Sequence, residues 1–393
     1  MFAGFLVSRA LLSIAMFAYG INALRDVHPR EWLRQRWWLL GVGWVAMYAV
    51  SGLWSDNIHE WNNHVQVKLP VLLLPLAFAL QPRFTDKDIQ RLTIGMGLML
   101  MVGACYSMSF FLTDTEHYIN EYKVSHMLPT LPKKDHIRSS IASALYVVWA
   151  AYAWPRLQSR NMKRLTGLIA AILVIYIHVL AAKSGLISLY LFIGAWGVYM
   201  SFGKNKRYGL AILTAIPIMV ILGMRMIPTL RERVNYIGYT IFMYQRDLQT
   251  SNLGDVSRLI SYRLGVQLIK EHPLTGSGAG DMKADMDKLY AAQYPEIDEY
   301  GRLIPHNQFL TVTLACGIVG GILFLLWVVW PLTLMRRNRQ SFFFFAVWLI
   351  LLLQLMIEPV LEVQFGVFVY MLFLLLQLKE LQDNAGKRLT TAA

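Results

Sequence analysis

One histidine and a few arginines and lysines are the residues of this chain whose type and setting fit chemistry. His306 stands in Pro305-His306-Asn307-Gln308-Phe309-Leu310, where a polar stretch from about Ile227 to Pro305 gives way to an apolar run. An imidazole titrates near neutral pH and so suits proton transfer. The plainer alternative is an interfacial histidine that caps or solvates the next helix. Arg258 and Arg263 precede it in the same stretch. Five residues apart on a helix, they diverge by about 140° and do not share a face. Each is either solvated or a guanidinium fork for phosphate. Lys183, in Ala181-Ala182-Lys183-Ser184-Gly185, occupies a very short turn between two apolar runs. A lysine there is expensive unless it meets water, phosphate or a carboxylate, or snorkels to the surface. Lys68, ahead of Leu69-Pro70, and His136 with Arg138, ahead of another apolar run, complete the set. Ordinary helix-end cations are the plainer reading of those three.

Other features constrain the chemistry. Glu358 and Glu362 are four apart, hence expected on one helix face, placed to orient a basic group or hold a sugar. The turn Thr275-Gly276-Ser277-Gly278-Ala279-Gly280 lacks the preceding strand and following Lys-Ser/Thr of a nucleotide loop. It reads as a tight turn that permits close backbone approach. No His/Asp/Glu cluster has metal-ligand spacing, and neither a Walker sequence nor a dinucleotide fingerprint occurs. The sequence therefore points to no metal and no cofactor, and an activated substrate must bring its own leaving group. Cys105 and Cys316 both lie in apolar runs, so no disulfide framework is expected.

The elements that position these residues are membrane helices. Hydrophobic residues make up 56% of the 393 residues and charged ones 16%, which excludes an ordinary soluble domain. Apolar runs approach or reach the ~20 residues needed to cross a bilayer near Phe2–Leu24, Trp37–Trp54, Leu69–Gln81, Leu92–Leu112, Ser139–Trp154 and Leu165–Ala182. Others lie near Gly185–Phe202, Tyr208–Met226, Phe309–Leu334, Phe342–Ile357 and Val363–Leu378. The expected fold is an all-α polytopic membrane protein with about 11–12 transmembrane helices. It divides into N-terminal spans (1–226), a large loop (227–305) and C-terminal spans with a short tail (306–393), all one integrated domain. The first run has neither a basic leader nor a clear cleavage site and reads as a retained span.

The net charge of +13 reflects topology rather than nucleic-acid binding. Basic loops hold Arg25, Arg30, Arg34 and Arg36; then Arg156, Arg160, Lys163 and Arg164; then Lys204, Lys206 and Arg207; then Arg336, Arg337 and Arg339. The intervening loops carry Asp56 and Glu60, the mixed-charge segment from Asp114 to Arg138, and the long 227–305 segment. By the positive-inside rule the basic loops are cytoplasmic, so the long segment faces outward and the N-terminus lies outside. Within it, Val256 to Ile269 has helical spacing, with Leu259, Tyr262, Val266 and Ile269 on one stripe, and Pro273 and the glycines end that helix. A second short helix is expected from Met282 to Tyr290, and Tyr236 to Tyr244 suits the headgroup level. No internal repeat of a two-halved transporter is present.

Ser257-Arg258-Leu259-Ile260-Ser261-Tyr262-Arg263, running into Ile269-Lys270-Glu271-His272-Pro273-Leu274-Thr275-Gly276-Ser277-Gly278, resembles the signature of the O-antigen ligase and polymerase superfamily. So do His306-Asn307-Gln308-Phe309-Leu310 and Gly317-Ile318-Val319-Gly320. Each piece alone is weak, and their order is specific. The motifs cover about Val256 to Gly321, and the span arrangement extends the likeness over nearly the whole chain. The resemblance implies a GT-C-like glycosyltransferase of the bacterial inner membrane that acts at the periplasmic face on undecaprenyl-diphosphate-linked glycans, without metal or nucleotide. It implies that Arg258 binds the diphosphate and that His306 is the essential histidine. A further basic residue of the family lies in a Ser-Arg-Gly-like turn, and Lys183-Ser184-Gly185 occupies that place. This is a departure, since lysine keeps the charge and loses the bidentate fork. Catalysis is thus expected from His306, Arg258 and Lys183, and substrate binding from Arg263, Asn307, Lys68, His136 and Arg138.

The leading expectation is a metal-independent, inverting O-antigen ligase-like transferase that moves a glycan from undecaprenyl diphosphate to lipid A-core. A polymerase, with a second lipid-linked repeat as acceptor, shares the donor machinery, as does a protein O-oligosaccharyltransferase. A lipid-glycan transporter would spread cations along an intramembrane path, whereas here they gather at the outer face.

Overall fold

The computed structural model describes all residues except 24–35, 132–134, 204–205, 246–253, 336–338 and 392–393. For 23, 36, 244–245, 254–255 and 383–391 it describes the backbone alone. Among the basic-loop residues, Arg25, Arg30, Arg34, Lys204, Arg336 and Arg337 thus lie outside the described residues, as does the side chain of Arg36. In chain order the helices are α1 (Phe2–Val7), α2 (Arg9–Ala23), α3 (Arg36–Val50), α4 (Ile58–Leu80), α5 (Asp86–Thr113), α6 (Thr115–Lys123), α7 (His136–Ala153) and α8 (Arg160–Leu180). They continue with α9 (Lys183–Ser201), α10 (Lys206–Met226), α11 (Pro228–Gln245), α12 (Gly254–Glu271), α13 (Met282–Gln293), α14 (Gln308–Val329), α15 (Arg339–Ile357) and α16 (Gln364–Thr391).

Among the described residues, eight runs are long and apolar enough to cross a membrane. They are Ile58–Leu80, Asp86–Thr113, Arg160–Leu180, Lys183–Ser201, Lys206–Met226, Gln308–Leu334, Arg339–Ile357 and Gln364–Gln382, and a shorter apolar run covers Trp37–Leu53. The protein is an all-α, multi-pass membrane protein with a large helical segment between α10 and α14. Its centre is α16, whose membrane-crossing window is 94% buried, whereas that of α10 is 11% buried and turns outward.

Of the eleven runs expected to span, those near Phe2–Leu24, Trp37–Trp54 and Ser139–Trp154 are not among these eight, and the first and third runs also differ in their bounds from the observed helices. The first apolar run is not one span, because Ser8 is extended (φ −161°, ψ 151°) and splits it into α1 and α2. The Ser8 hydroxyl accepts from Leu11 N at 3.1 Å and so starts α2. A Cβ on Gly4 would lie 2.7 Å from the Leu12 backbone, so glycine lets α1 fold back onto α2. The third run begins not at Leu69 but at Ile58, capped by Asn57, whose side chain accepts from Glu60 N. Lys68 therefore sits inside a helix rather than ahead of one, because the polar first turns of α4 are helical too.

Contacts sort the loops into two opposite ends. At one, Asp281 accepts from Asp56 N and Asn57 N at 2.8 and 3.0 Å, Tyr122 donates to Leu180 O at 2.8 Å, and Thr229 donates to Val179 O at 2.6 Å. At the other, Gln90 donates to Arg156 O at 2.8 Å and Arg339 to Ala151 O at 3.0 Å.

The segment between α10 and α14 is tied into the bundle by a break in α14. Gly317 is left-handed in φ (68°) with ψ −175°, so the helical ladder is interrupted there. The glycine-rich loop fills the gap. Ser277 N donates to Leu314 O at 2.7 Å, Gly278 N to Ala315 O at 3.2 Å, and Ile318 N to Pro273 O at 2.8 Å. Non-helical backbone at membrane depth is tolerated only where protein satisfies it, and this loop does so. Gly276 (φ 69°) has no room for a side chain, since a Cβ would come within 2.4 Å of Leu314 O.

Candidate functional site

His306 is placed by α12. The buried face of that helix carries Ser257, Ser261, Leu264, Gly265 and Leu268, while Leu259 is 52% exposed and Val266 37%. The expected stripe of Leu259, Tyr262, Val266 and Ile269 is thus not the packing face. The small residues are, because they let the chain just before α14 approach closely. A Cβ on Gly265 would meet Pro305 Cγ at 2.5 Å, Tyr262 Oη donates to His306 O at 2.7 Å, and His306 N donates to Ser261 Oγ at 3.4 Å. The ring is oriented as well. Its Nδ1 lies 3.1 Å from Ile304 O, which can only accept, so Nδ1 carries a hydrogen and, in the neutral ring, Nε2 has the lone pair.

That Nε2 faces Glu358 Oε2 at 3.7 Å, and the other oxygen of the same carboxylate accepts from Arg258 Nη2 at 2.5 Å. Glu358 is buried, and the Arg258 side chain is 30% exposed. Burial lowers the imidazole pKa below its usual value, Arg258 and Arg138 add to that, and Glu358 opposes it. Next along the chain, Asn307 caps α14 by accepting from Phe309 N and Leu310 N at 2.9 and 3.1 Å, and it donates to Met356 O at 3.1 Å. Its polar atoms are engaged in holding the helix start.

Glu358 and Glu362 do not share a helix face. α15 ends at Ile357, and Val360–Glu362 forms a short 3-10 turn before α16. The two carboxylates consequently gather separate partners. Glu362 receives Tyr48 Oη at 3.1 Å and Gln308 Nε2 at 2.8 Å on one oxygen, and His64 Nδ1 at 2.8 Å and Lys68 Nζ at 2.7 Å on the other. Burial works against ionisation of Glu362, yet Lys68 and the His64 hydrogen bond hold its carboxyl well below the usual range. Lys68 is 0% exposed, with its ammonium 3.9 Å from the centre of the Tyr48 ring. The structure therefore places Lys68 in a second cluster, apart from Arg258.

The other basic residues lie at the same end of the bundle, with one set aside. Lys183 is the first residue of α9, after Ala181 in the left-handed region (φ 48°), and no side chain caps that helix. A Cβ on Gly185 would meet Ser140 Cβ at 2.4 Å, and Gln354 donates to Ser184 O at 3.3 Å. The start of α9 thus packs between the start of α7 and the end of α15, four residues before Glu358. His136 and Arg138 open α7, where Arg138 Nη1 pairs with Asp135 at 3.4 Å. Burial lowers the His136 pKa to about 4, with Asp135 opposing and Arg233, Arg138 and Arg258 contributing. Arg233, on α11, thereby joins the group; sequence reading missed it. It donates to Ser125 Oγ from a helix led by Pro228, and no motif in the sequence marked it. Arg263 points elsewhere, exposed and 3.3 Å from Tyr294 Oη. Among the described residues no three His, Cys, Asp or Glu side chains converge as metal ligands.

No curated protein matches the chain. Residues 137–325 match the sequence model of the O-antigen ligase family, Wzy_C. The matched stretch holds Arg138, Lys183, Arg258, Arg263, His306 and Asn307, and the glycine-rich loop with the helix break it fills. That match covers just under half of the chain and supports its classification with the O-antigen ligase family of glycan-handling membrane enzymes.

Proposed function

We propose that this protein is a GT-C-like, metal-independent glycosyltransferase of the bacterial inner membrane. It moves a glycan from undecaprenyl diphosphate to an acceptor hydroxyl, lipid A-core in the first instance, at the periplasmic face. The observation that carries the reading is His306, whose Nε2 stands 3.7 Å from a carboxylate that also holds Arg258.

Each group has a chemical task. The acceptor oxygen attacks the anomeric carbon while the bond to the diphosphate oxygen breaks, so one displacement inverts that carbon. His306 Nε2 takes the hydroxyl proton. Its lowered pKa keeps it unprotonated, hence competent as a base, at neutral pH. Arg258 and Lys183 stabilise the negative charge that grows on the departing diphosphate, the preorganised electrostatic effect that usually contributes most. The uncapped N-terminus of α9 adds backbone N–H groups to Lys183, which offsets part of the lost guanidinium fork. Arg138 and His136 border the same site, Asn307 holds the start of α14 beside it, and Arg263, which points elsewhere, has at most a peripheral part. The 1–226 and 306–393 helices supply the membrane part of one integrated domain, with 227–305 closing over it.

The test is in vitro transfer with purified protein and undecaprenyl-diphosphate glycan, run separately against lipid A-core, a second lipid-linked repeat and a peptide. Transfer to lipid A-core that is lost in His306→Ala is the expected result. Full activity in that variant, or a requirement for ATP, sinks the reading. Preference for the lipid-linked repeat would make the enzyme a polymerase, and preference for peptide a protein-glycosylating transferase.

A further inference from the structure

The buried cluster beneath His306 has no part in the chemistry above. Glu362 is nearly sealed from solvent, and four donors fill its lone-pair sites. They come from α3 (Tyr48), α4 (His64 and Lys68) and α14 (Gln308). A buried ion pair is a poor route to stability, since apolar residues of similar volume often serve as well or better. Its geometry is informative instead. Gln308 donates to Glu362 and accepts from Leu361 N at 2.7 Å, so it grips both the side chain and the backbone of the turn between α15 and α16. Asn307 donates to Met356 O on the other side of that turn. Three successive residues, His306, Asn307 and Gln308, thus meet the 356–362 stretch, and Glu358 lies within it.

We propose that Lys68, His64 and Glu362 are a positioning unit that acts through Gln308 to hold His306 in register with Glu358. The inference rests on the reading of His306 as the base. Lys68 then acts through Glu362 rather than on the donor. Its charge keeps the carboxylate ionised and seated, the carboxylate fixes Gln308, and Gln308 fixes the start of α14. A displacement of about 1 Å at the reacting groups costs on the order of 100-fold in rate, so a modest loss of register is enough to matter.

The experiment compares Lys68→Met, Gln308→Ala and the double variant Lys68→Met/Glu362→Gln in the transfer assay, with melting temperature measured in parallel. Lys68→Met leaves the buried carboxylate without its ammonium partner, and kcat is expected to fall about 10–100-fold while the donor KM changes little. Gln308→Ala is expected to lower kcat similarly with the ion pair intact, and to move the acid limb of the pH–rate profile that His306 sets. In the double variant the amide introduced by Glu362→Gln still accepts from Gln308, no charge is buried, and kcat is expected to recover to within about 3-fold, ~0.7 kcal/mol. A double variant as inactive as Lys68→Met, with a raised donor KM, would show that Lys68 binds substrate and overturn the positioning role. Unchanged kcat and pH profile in Gln308→Ala would overturn it as well. His306→Ala is the control that separates the two readings. Full activity there removes the base and with it the positioning role, whereas an inactive His306→Ala beside an unrescued double variant removes the positioning role alone.

Discussion

Two arginine–glutamate pairs sit at opposite ends of the bundle, and they are built alike up to one contact. At one end Arg258 meets Glu358 at 2.5 Å, and at the other Arg156 meets Glu380 at 2.6 Å. Both carboxylates are 5% exposed or less, and the arginines are 30% and 26% exposed. At the Arg156 end the same carboxylate oxygen also takes the Tyr152 hydroxyl at 2.5 Å, and Asp86 lies 3.8 Å from the guanidinium. At the Arg258 end the second oxygen faces His306 at 3.7 Å, beyond hydrogen-bond reach. One pair is a closed joint between helices. The other leaves a contact open beside a titratable ring, which is where the proposed reading seats a substrate group.

Removing single members tests the contrast most severely. Arg258→Ala is expected to cut transfer about 100–1000-fold, as measured by initial rates, with His306→Ala comparable. Arg156→Ala is expected to keep kcat within a few-fold while stability drops by about 1–3 kcal/mol, below the cost of breaking a fully buried pair because the guanidinium is partly exposed. A melting curve in detergent measures that loss. If Arg156→Ala stops transfer as Arg258→Ala does, the contrast fails.

Acid distinguishes the ends more gently. The folded pKa of His306 lies below its unfolded value, so the unfolded chain binds the proton first. Its contribution to stability is therefore complete above the unfolded pKa and is lost as pH falls through the folded one. His136, at about 4 in the fold, acts in the same direction over the window from about 6.5 down to 4. The acid limb of the rate profile should accordingly lie below the usual imidazole range, and Glu358→Gln should move it lower still, because the carboxylate is the larger of the two influences that raise the His306 pKa. His306 lies at the opposite end from the Arg156–Glu380 pair, so Arg156→Ala should leave the limb in place. The smallest effect is expected for Arg263→Ala, whose described hydrogen bond is a 3.3 Å contact to Tyr294. Stability should stay within about 0.5 kcal/mol and transfer within a few-fold.

The helices around the site are more fully legible in the sequence than their faces are. The Val256–Ile269 pattern marks α12, observed as Gly254–Glu271, and Met282–Tyr290 marks α13. The divergence of Arg258 from Arg263 follows from helical spacing alone, and one meets Glu358 and the other Tyr294. The packing face of α12 is not legible that way, because an apolar stripe signals burial only where bulk is what packs. Here closeness decides, and Ser261 and Gly265 achieve it where larger apolar residues cannot. The spacing of Glu358 and Glu362 fits one helix face, but α15 stops at Ile357 and the turn sends them apart. Lys68 reads as a helix-end cation because its partner is nearly 300 residues away in the chain. No local pattern records such a pair.

The broken turn at Gly317 limits how the 227–305 segment can move. Three backbone hydrogen bonds join Pro273, Ser277 and Gly278 to α14 on either side of the break. Lifting that loop away would strand buried donors and acceptors at about 1–3 kcal/mol each. The segment is therefore pinned near its middle, about 13 Å down the axis of α14 by the helical rise from Gln308. It is held to α14 there as well as at its other contacts with the bundle.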